Sequence, residues 1–551
     1  MFRINNPDEQ VNLLSKENSW TDYKAKRIKQ GWPGYIHDVI FPAIDQEKFR
    51  VLYSDNNASC PNTGVNILVC LLIIKKITGS TDEELIDMFL CDERVQYALH
   101  TLDNDRQPIS KNMLNIFRRR LTDYYKTTGI DLLDEEMRRI NNLLLEINKV
   151  DRNIERMDSL MISSSCKRMS RIELIYTINF NFIKVLSSCS KVPDDFKCYL
   201  EKEHKNDVIY RTREKQEESK LSSLLNDSLT LFDKFKDDNE VNNTKEFELL
   251  KRVIDEQYDS KNNKPKEGKD IKPTSLQNPA DPEATYRTKY GANQGYVANI
   301  VEAINNGKPM ITDWEVATNV TGDTTLLDNY LNKQQEENNG VKTEIVDGGF
   351  YSDKLDEKAN EMGIELHPTE LVGKKPKETN ISKFTIDEEN HQVLKCPNNK
   401  EPIVSKYNEE KETITAKFDK SCCENCPMRE KCCISFKPKK TNTLRATNQQ
   451  IKSDKIRISR LSEEYQQISN MRAGIEGAPS LLRRRYNIDD RPVKGLFRLK
   501  LDLSTSVIAI NIKRSYIRVQ LIDKIYTFIK KINLFLSKST NYIFKIIKFE
   551  Y

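Results

Sequence analysis

The chain has 551 residues, 31% charged and 37% hydrophobic, with a formal net charge of only +5. That length suits three or four domains and at least one large core, and the small net charge means any basic surface must be local. The start lacks the apolar core of a signal peptide, and no apolar run is long enough to span a bilayer, so a cytoplasmic protein without a membrane partner is expected. Twelve cysteines in so long a chain are not a disulfide framework. Six of them crowd between Cys396 and Cys433.

Residues 1–45 are polar and end in an apolar patch around Ile36 to Ile44. Residues 60–145 read as helices. Val65-Asn-Ile-Leu-Val-Cys-Leu-Leu-Ile-Ile is apolar on most sides, which predicts a buried helix. Ser80-Thr-Asp-Glu-Glu-Leu carries a cap followed by acidic first-turn residues, and Ser110-Lys-Asn-Met-Leu-Asn-Ile-Phe-Arg-Arg-Arg-Leu begins another helix. Such short helices suit a helix-turn-helix-like DNA-binding unit or a packing and dimerisation domain. Residues 150–163 give a short apolar strand carrying Asp158. A helical, strongly charged region follows, closing in a Lys/Asn/Pro-rich stretch at 261–270 that reads as a mobile linker. Strands are then expected at Ala284-Thr-Tyr-Arg, Gln294-Gly-Tyr-Val-Ala-Asn-Ile-Val and Pro309-Met-Ile-Thr-Asp-Trp, running antiparallel. Helix from 323 to 335, strand Thr343-Glu-Ile-Val ending at Asp347, helix from 352 to 362 and strand Gly363-Ile-Glu-Leu-His complete the pattern. The tail from 522 is rich in Ile and Phe but interrupted by Lys, as in an amphipathic helix.

Asp158 and Asp347 share a setting, in or at the end of an apolar strand. Two such carboxylates, with a glutamate from a neighbouring helix, can hold two divalent ions about 3.5–4 Å apart. Asp313 and Asp323 are rivals, the first inside a strand and the second a cap after Thr-Gly. The glutamate is Glu476. In Ser469-Asn-Met-Arg472-Ala-Gly-Ile-Glu476-Gly-Ala-Pro-Ser-Leu-Leu-Arg483, a continuous helix would put Arg472, Glu476 and Arg483 on one face. A carboxylate for a cation beside guanidinium groups for phosphate points to a metal-dependent enzyme acting on a phosphodiester backbone. The basic run of Arg483, Arg484, Arg485, Arg491, Lys494, Arg498 and Lys500, with Tyr486 and Phe497 interleaved, can track such a backbone.

Cys423-Glu-Asn-Cys426 is one complete Cys-x2-Cys knuckle, with Cys432 six residues on and Cys396 available as a fourth thiolate. Four thiolates suit a structural Zn²⁺. Cys422, Cys433 and His391 offer competing ligand sets.

These residues resemble those of bacterial insertion-sequence transposases of the DDE superfamily. The matching text is Met157-Asp158-Ser159, Gln294-Gly-Tyr296-Val-Ala-Asn-Ile-Val, Thr318-Asn-Val-Thr-Gly-Asp323, Ile345-Val-Asp347-Gly-Gly-Phe-Tyr-Ser, Arg472-Ala-Gly-Ile-Glu476-Gly, Arg491-Pro-Val-Lys-Gly-Leu-Phe-Arg and Ala509-Ile-Asn-Ile-Lys-Arg, with residues 78–102 and Ile116-Phe-Arg-Arg-Arg-Leu at the front. The resemblance implies an α/β fold: an RNase H-like mixed-sheet catalytic core with an all-α N-terminal domain, a helical charged insertion and a small Cys-rich subdomain. The expected division is 1–145 for the helical N-terminal domain, 150–165 for the first core strand and 166–280 for the insertion and linker. The core follows at 281–385, the Cys-rich part at 390–440, the catalytic helix and core C-terminus at 441–515 and the basic tail at 516–551. It also implies Asp158, Asp347 and Glu476 as a triad for Mg²⁺ or Mn²⁺, with Arg472 and Arg483 as the basic members of a Tyr/Arg/Glu/Lys signature. Ser469 stands where that signature has Tyr and Arg483 where it has Lys, and Pro479 should kink the helix. The expected activity is cleavage and strand transfer of double-stranded DNA by a homodimer, in a bacterial, nucleoid-associated setting. The alternatives are an inactive DNA-binding derivative and a nuclease without strand transfer.

Overall fold

One mixed sheet of six strands organises the chain. The computed structural model describes residues 1–517 apart from 7–14, 55, 57, 59, 211–215, 289–290, 305–308, 370–379, 388, 437–440 and 491–492. Arg491 and the expected tail from 518 onward therefore lie outside the described residues. The strands are β1 (Ile154–Ser163), β2 (Thr285–Arg287), β3 (Asn293–Ala303), β4 (Met310–Thr318), β5 (Thr343–Val346) and β6 (Glu365–Pro368). In space they run β4-β3-β1-β5-β6, with β2 beside the start of β3. β3 is antiparallel to β1 and β4, whereas β1, β5 and β6 are parallel. Ile154, Glu155 and Arg156 pair with Thr343, Glu344 and Ile345. Continued by two residues, this register brings Asp347, the first residue past β5, beside Asp158, on strands spaced about 4.8 Å apart.

The N-terminal helices cover one face. α1 (Val65–Thr78) is buried almost all round and stops where Gly79 takes a left-handed φ of 76°. α2 (Asp82–Cys91) opens with reciprocal Thr81 and Glu84 hydrogen bonds. α3 (Met113–Thr128) starts after Asn112 rather than Ser110, and α4 (Leu132–Ile147) follows. These helices, the sheet and a long helix at the end of the described chain, residues 496–517, share one hydrophobic core that includes Leu68, Phe117, Ile140, Leu160, Ile300 and Leu503.

A bulge locks this packing. Val301 pairs with Asp313 but Glu302 pairs with Ile311, leaving Thr312 as an extra residue. The Ile311 groups released from the ladder find two buried asparagines. Asn511 accepts from the Ile311 N–H (3.0 Å) and donates to its carbonyl (2.8 Å), while Asn141 of α4 donates to the same carbonyl (3.0 Å).

Between β1 and β2 stand α5 (Arg171–Ser188), α6 (Glu217–Phe235) and α7 (Lys245–Gln257), which form a separate core around Phe182, Leu225 and Phe247. On the opposite face of the sheet lie α8 (Asp323–Glu337) and α9 (Asp353–Glu361). Leu326, Leu327 and Tyr330 of α8 pack on Met157, Val301 and Val346. The linker expected at 261–270 is instead a closed turn. Tyr258–Asp259 pair with Lys264–Pro265, Asn263 takes φ 51°, and the Asp259 carboxylate accepts from the Lys261 N–H at 3.0 Å. Asn and Asp provide the turn chemistry that composition alone reads as disorder.

A second inserted unit lies between β6 and the late helices. It contains β7 (Thr385–Asp387), β8 (Gln392–Lys395), β9 (Val404–Asn408), β10 (Thr413–Asp419), β11 (Thr441–Thr447) and α10 (Asn448–Ser459), with Ile414, Phe418 and Leu444 in its core.

Candidate catalytic cleft

The late helical segment does not run as one continuous helix. α11 (Glu463–Arg472) gives way to a 3-10 turn, Ala473–Glu476, and then to α12 (Gly477–Arg484). Pro479 has no N–H to donate to the Ile475 carbonyl and its ring crowds that carbonyl, so the helix restarts with proline in its first turn. The interruption expected at Pro479 takes the form of this 3-10 turn just before it, with helical backbone angles kept at Arg472, Ala473, Glu476 and Gly477.

This break is anchored to β1. The Arg156 guanidinium donates to the Met471 carbonyl at 2.5 Å and to buried Glu302 of β3 at 2.8 Å. Arg514 holds the other Glu302 oxygen at 2.8 Å. A Cβ at Gly474 would lie 2.3 Å from Arg156 Nη1, so only glycine lets the turn approach this closely.

The result is a cleft of about 640 Å³ lined by Asp158, Ser159, Arg287, Asp323, Glu476, Arg483 and Arg484, among others. Arg472 reaches down to Asp158, Nη2 to Oδ1 at 3.3 Å. The Ser159 N–H donates to Asp158 Oδ1, and the Gly348 N–H to Asp347 Oδ1, both at 2.9 Å. Burial pushes the Asp158 carboxyl above its ordinary range; Arg472 and the Ser159 N–H oppose this, while the negative charges of Asp347 and Glu476 add to it. Glu476 itself is exposed, on the 3-10 turn.

The donor set suits a hard divalent cation. It consists of oxygen ligands only, two from adjacent strands and one from a helical turn, and Mg²⁺ needs few carboxylates because it keeps waters. Among the described residues, no three or more His, Cys, Asp or Glu side chains are placed together so that they could hold a metal ion. The Arg472 charge lies against Asp158 instead.

The rival aspartates separate. Asp313 is buried and paired with Arg138 and Lys333; burial would raise its carboxyl, but the two cations outweigh this and hold it low. It joins α4, β4 and α8 and lies outside the cleft lining. Asp323 is in the cleft, below Ser159, whose hydroxyl donates to Asp323 Oδ1 at 3.2 Å.

The expected DNA-binding residues Arg472, Arg483, Arg484, Arg485, Lys494 and Arg498 divide among several places. Arg472 turns to Asp158. Arg483 lines the cleft and donates to the Met161 carbonyl at 3.1 Å, with Asp489 at 3.4 Å. Arg484 lines the cleft too. Arg485 donates to the Ile77 carbonyl at the end of α1 (3.1 Å), and Lys494 is exposed. Arg498 faces a different cleft of about 710 Å³, between α1, α3 and the last described helix, together with Arg118 and Arg119. Ser469, at the position where the signature has Tyr, hydrogen-bonds to His367 (3.1 Å), and Tyr465 one turn earlier stacks on that imidazole at 3.6 Å between centroids. Arg287 was not singled out by its sequence context. It donates to the Asn319 and Thr321 carbonyls and places a cation on the cleft wall from β2.

Apart from the cleft, Cys396, Cys423, Cys426 and Cys432 line one cavity of about 30 Å³, as does the exposed Cys422. Burial raises the Cys423 thiol, and the nearness of Cys432, Cys396 and Cys426 adds to it. The Lys400 N–H points at Cys396 Sγ (3.4 Å), and the Asn398 amide at Cys426 Sγ (3.7 Å).

Compared with known families, residues 395–516 match the family described as a transposase DDE domain. The match bears out the resemblance to DDE-superfamily transposases read from the motifs. It takes in the four cysteines, Arg472, Glu476 and Arg483, and leaves Asp158 and Asp347 outside. No curated protein and no solved structure matches the chain.

Proposed function

We propose, taking the transposase DDE domain at 395–516 as the premise, that this chain is an insertion-sequence transposase that cleaves and joins double-stranded DNA with Asp158, Asp347 and Glu476 as its catalytic carboxylates. The observation that carries the reading is the meeting of segments far apart in sequence: the β1–β5 register, continued by two residues, sets Asp347 beside Asp158, and Glu476 lines the same cleft as Asp158. The strand order β4-β3-β1-β5-β6, with β3 running against the other four strands, supports an RNase H-like core.

Mg²⁺ or Mn²⁺ held by these carboxylates would supply charge stabilisation at the phosphoryl oxygens and a more acidic attacking water. The remaining tasks belong to the chain. Arg483, Arg484 and Arg287 flank the cleft at positions suited to backbone phosphates. Arg472 balances the Asp158 charge. In the first step a water oxygen bonds to phosphorus as the P–O3′ bond breaks; one proton ends on O3′, giving a free 3′-hydroxyl, and the other passes to solvent from the new terminal phosphate. In the second, the oxygen of that hydroxyl bonds to a target phosphorus and displaces its O3′, the proton leaving the attacking hydroxyl and the displaced O3′ taking one up. Action as a dimer inside a bacterial cell is part of this reading, and no described helix is long and apolar enough to cross a membrane.

A structural Zn²⁺ on Cys396, Cys423, Cys426 and Cys432 completes the proposal, supported by their shared cavity and the two N–H groups aimed at sulfur. The test of function is incubation of purified protein with DNA carrying the element ends and Mg²⁺ or Mn²⁺. Cation-dependent nicking followed by joining of a free 3′ end is expected. Nicking without joining would leave a nuclease, and binding without nicking an inactive derivative.

A further inference from the structure

We propose that Asp323 is a positioning residue for the carboxylate pair Asp158 and Asp347, setting their separation and strengthening divalent-cation binding without touching the cation. This rests on the reading of the cleft as a metal centre. Asp323 is the first residue of α8, and its side chain is only 9% exposed. It touches both segments that carry the aspartates. On one side Oδ1 accepts the Ser159 hydroxyl at 3.2 Å, and Ser159 directly follows Asp158. On the other, Oδ2 lies against Gly349, two residues after Asp347, where an added Cβ would stand 3.0 Å from that oxygen. One carboxylate therefore spans the gap between β1 and the turn after β5.

Its own placement is rigid. Leu326, Leu327, Tyr330 and Leu331 of α8 are fully buried against the sheet. The helix N-terminus favours a negative charge there. A fixed anion beneath the cluster raises the local attraction for a cation. Groups that orient metal-binding carboxylates change affinity or activity by roughly 10–100-fold when removed.

The experiment compares wild type with Asp323→Asn, Ser159→Ala and Asp158→Asn. Mn²⁺ binding is measured by calorimetry without DNA, and the Mn²⁺ concentration for half-maximal DNA cleavage is measured beside it. Asp323→Asn keeps an oxygen for Ser159 but loses the charge, and should weaken Mn²⁺ binding about 10-fold or more. Cleavage at saturating Mn²⁺ should return to within a few-fold of wild type. Ser159→Ala should shift the same concentration in the same direction but less. Unchanged Mn²⁺ binding in Asp323→Asn, with binding lost in Asp158→Asn, overturns this inference alone. A loss in Asp323→Asn as complete as in Asp158→Asn, with Ser159→Ala like wild type, overturns it by making Asp323 a ligand. Unchanged binding in Asp158→Asn removes the metal-centre reading and this inference with it. Thermal melts without cation establish that each variant folds.

Discussion

Glu476 and the arginines around it have separable tasks, and single substitutions should reveal this. Glu476→Gln removes a negative charge from an exposed 3-10 turn without disturbing a phosphate contact. It should reduce cleavage by at least about 10³-fold, in line with the loss of charge stabilisation at a catalytic centre, while band shifts show nearly unchanged affinity for element ends. Arg483→Ala should do the reverse: weaken binding and flatten the log–log salt slope by about 0.9, the effect of one lost phosphate contact. An unchanged slope would leave Arg483 as a partner of Asp489 and Met161 only. Asp131, which caps α4, tests the electrostatics of the helical layer. Its carboxyl is pushed up to about 6, chiefly by burial and further by the Asp134 charge. The folded form then holds the proton more tightly than the unfolded chain. Its stabilising contribution is complete below about pH 4 and is lost as pH rises through 6. Asp131→Ser keeps a capping oxygen that does not ionise. Between pH 5 and 7.5, urea unfolding of wild type should lose about 1 kcal/mol more than the variant loses; equal losses would show that Asp131 titrates normally.

At the scale of elements, the site depends on how the 3-10 turn sits on β1. Gly474→Ala would press a methyl group into the Arg156 guanidinium, which is tied to Met471 and Glu302. The turn must lift or the buried pair must part, and breaking such a pair costs about 3–5 kcal/mol. Cleavage should fall more than 10-fold while the melting temperature drops by a few degrees; wild-type cleavage by Gly474→Ala would show that the approach is not needed. The strands that carry Asp158 and Asp347 were legible because apolar runs end at turn residues, and the helical restart was legible in Pro479. The Arg156–Gly474 contact was not. It joins residues more than 300 positions apart, and neither has an unusual local pattern. Asp323 was read as a cap, whereas the cap is Gly322 and Asp323 is the first helical residue; its reach to Ser159, 164 residues away in sequence, was not readable. The bulge at Thr312 was also hidden, since nothing in its strand announces the two asparagines that satisfy it.

Across the whole molecule, the N-terminal helices and the last described helix share a core with the β1–β6 sheet, although composition suggested separable blocks. Apolar helices report that they are buried, not against which partner. Asn511 sits at this junction, and Asn511→Leu would strand the N–H and weaken the carbonyl bonding of Ile311. That should destabilise the protein by about 2–4 kcal/mol in chemical unfolding, with loss of both helical layers together. The cysteine unit is set apart, with its own small core. Chelation or Cys423→Ser should release about one zinc per chain and loosen this unit to proteases while the β1–β6 sheet stays protected; zinc-free wild-type protein with four reactive thiols would remove the zinc proposal. The central claim is that Asp158, Asp347 and Glu476 serve one cation centre. It is tested most directly by loading the protein with Fe²⁺ in place of Mg²⁺ and generating hydroxyl radicals at the bound iron. The account predicts backbone cuts near residues 158, 347 and 476 in the same preparation, all suppressed together by excess Mg²⁺ and all weakened by Asp158→Asn. Cuts confined to one of the three segments, or cuts at 158 and 347 that survive Asp158→Asn, would contradict it.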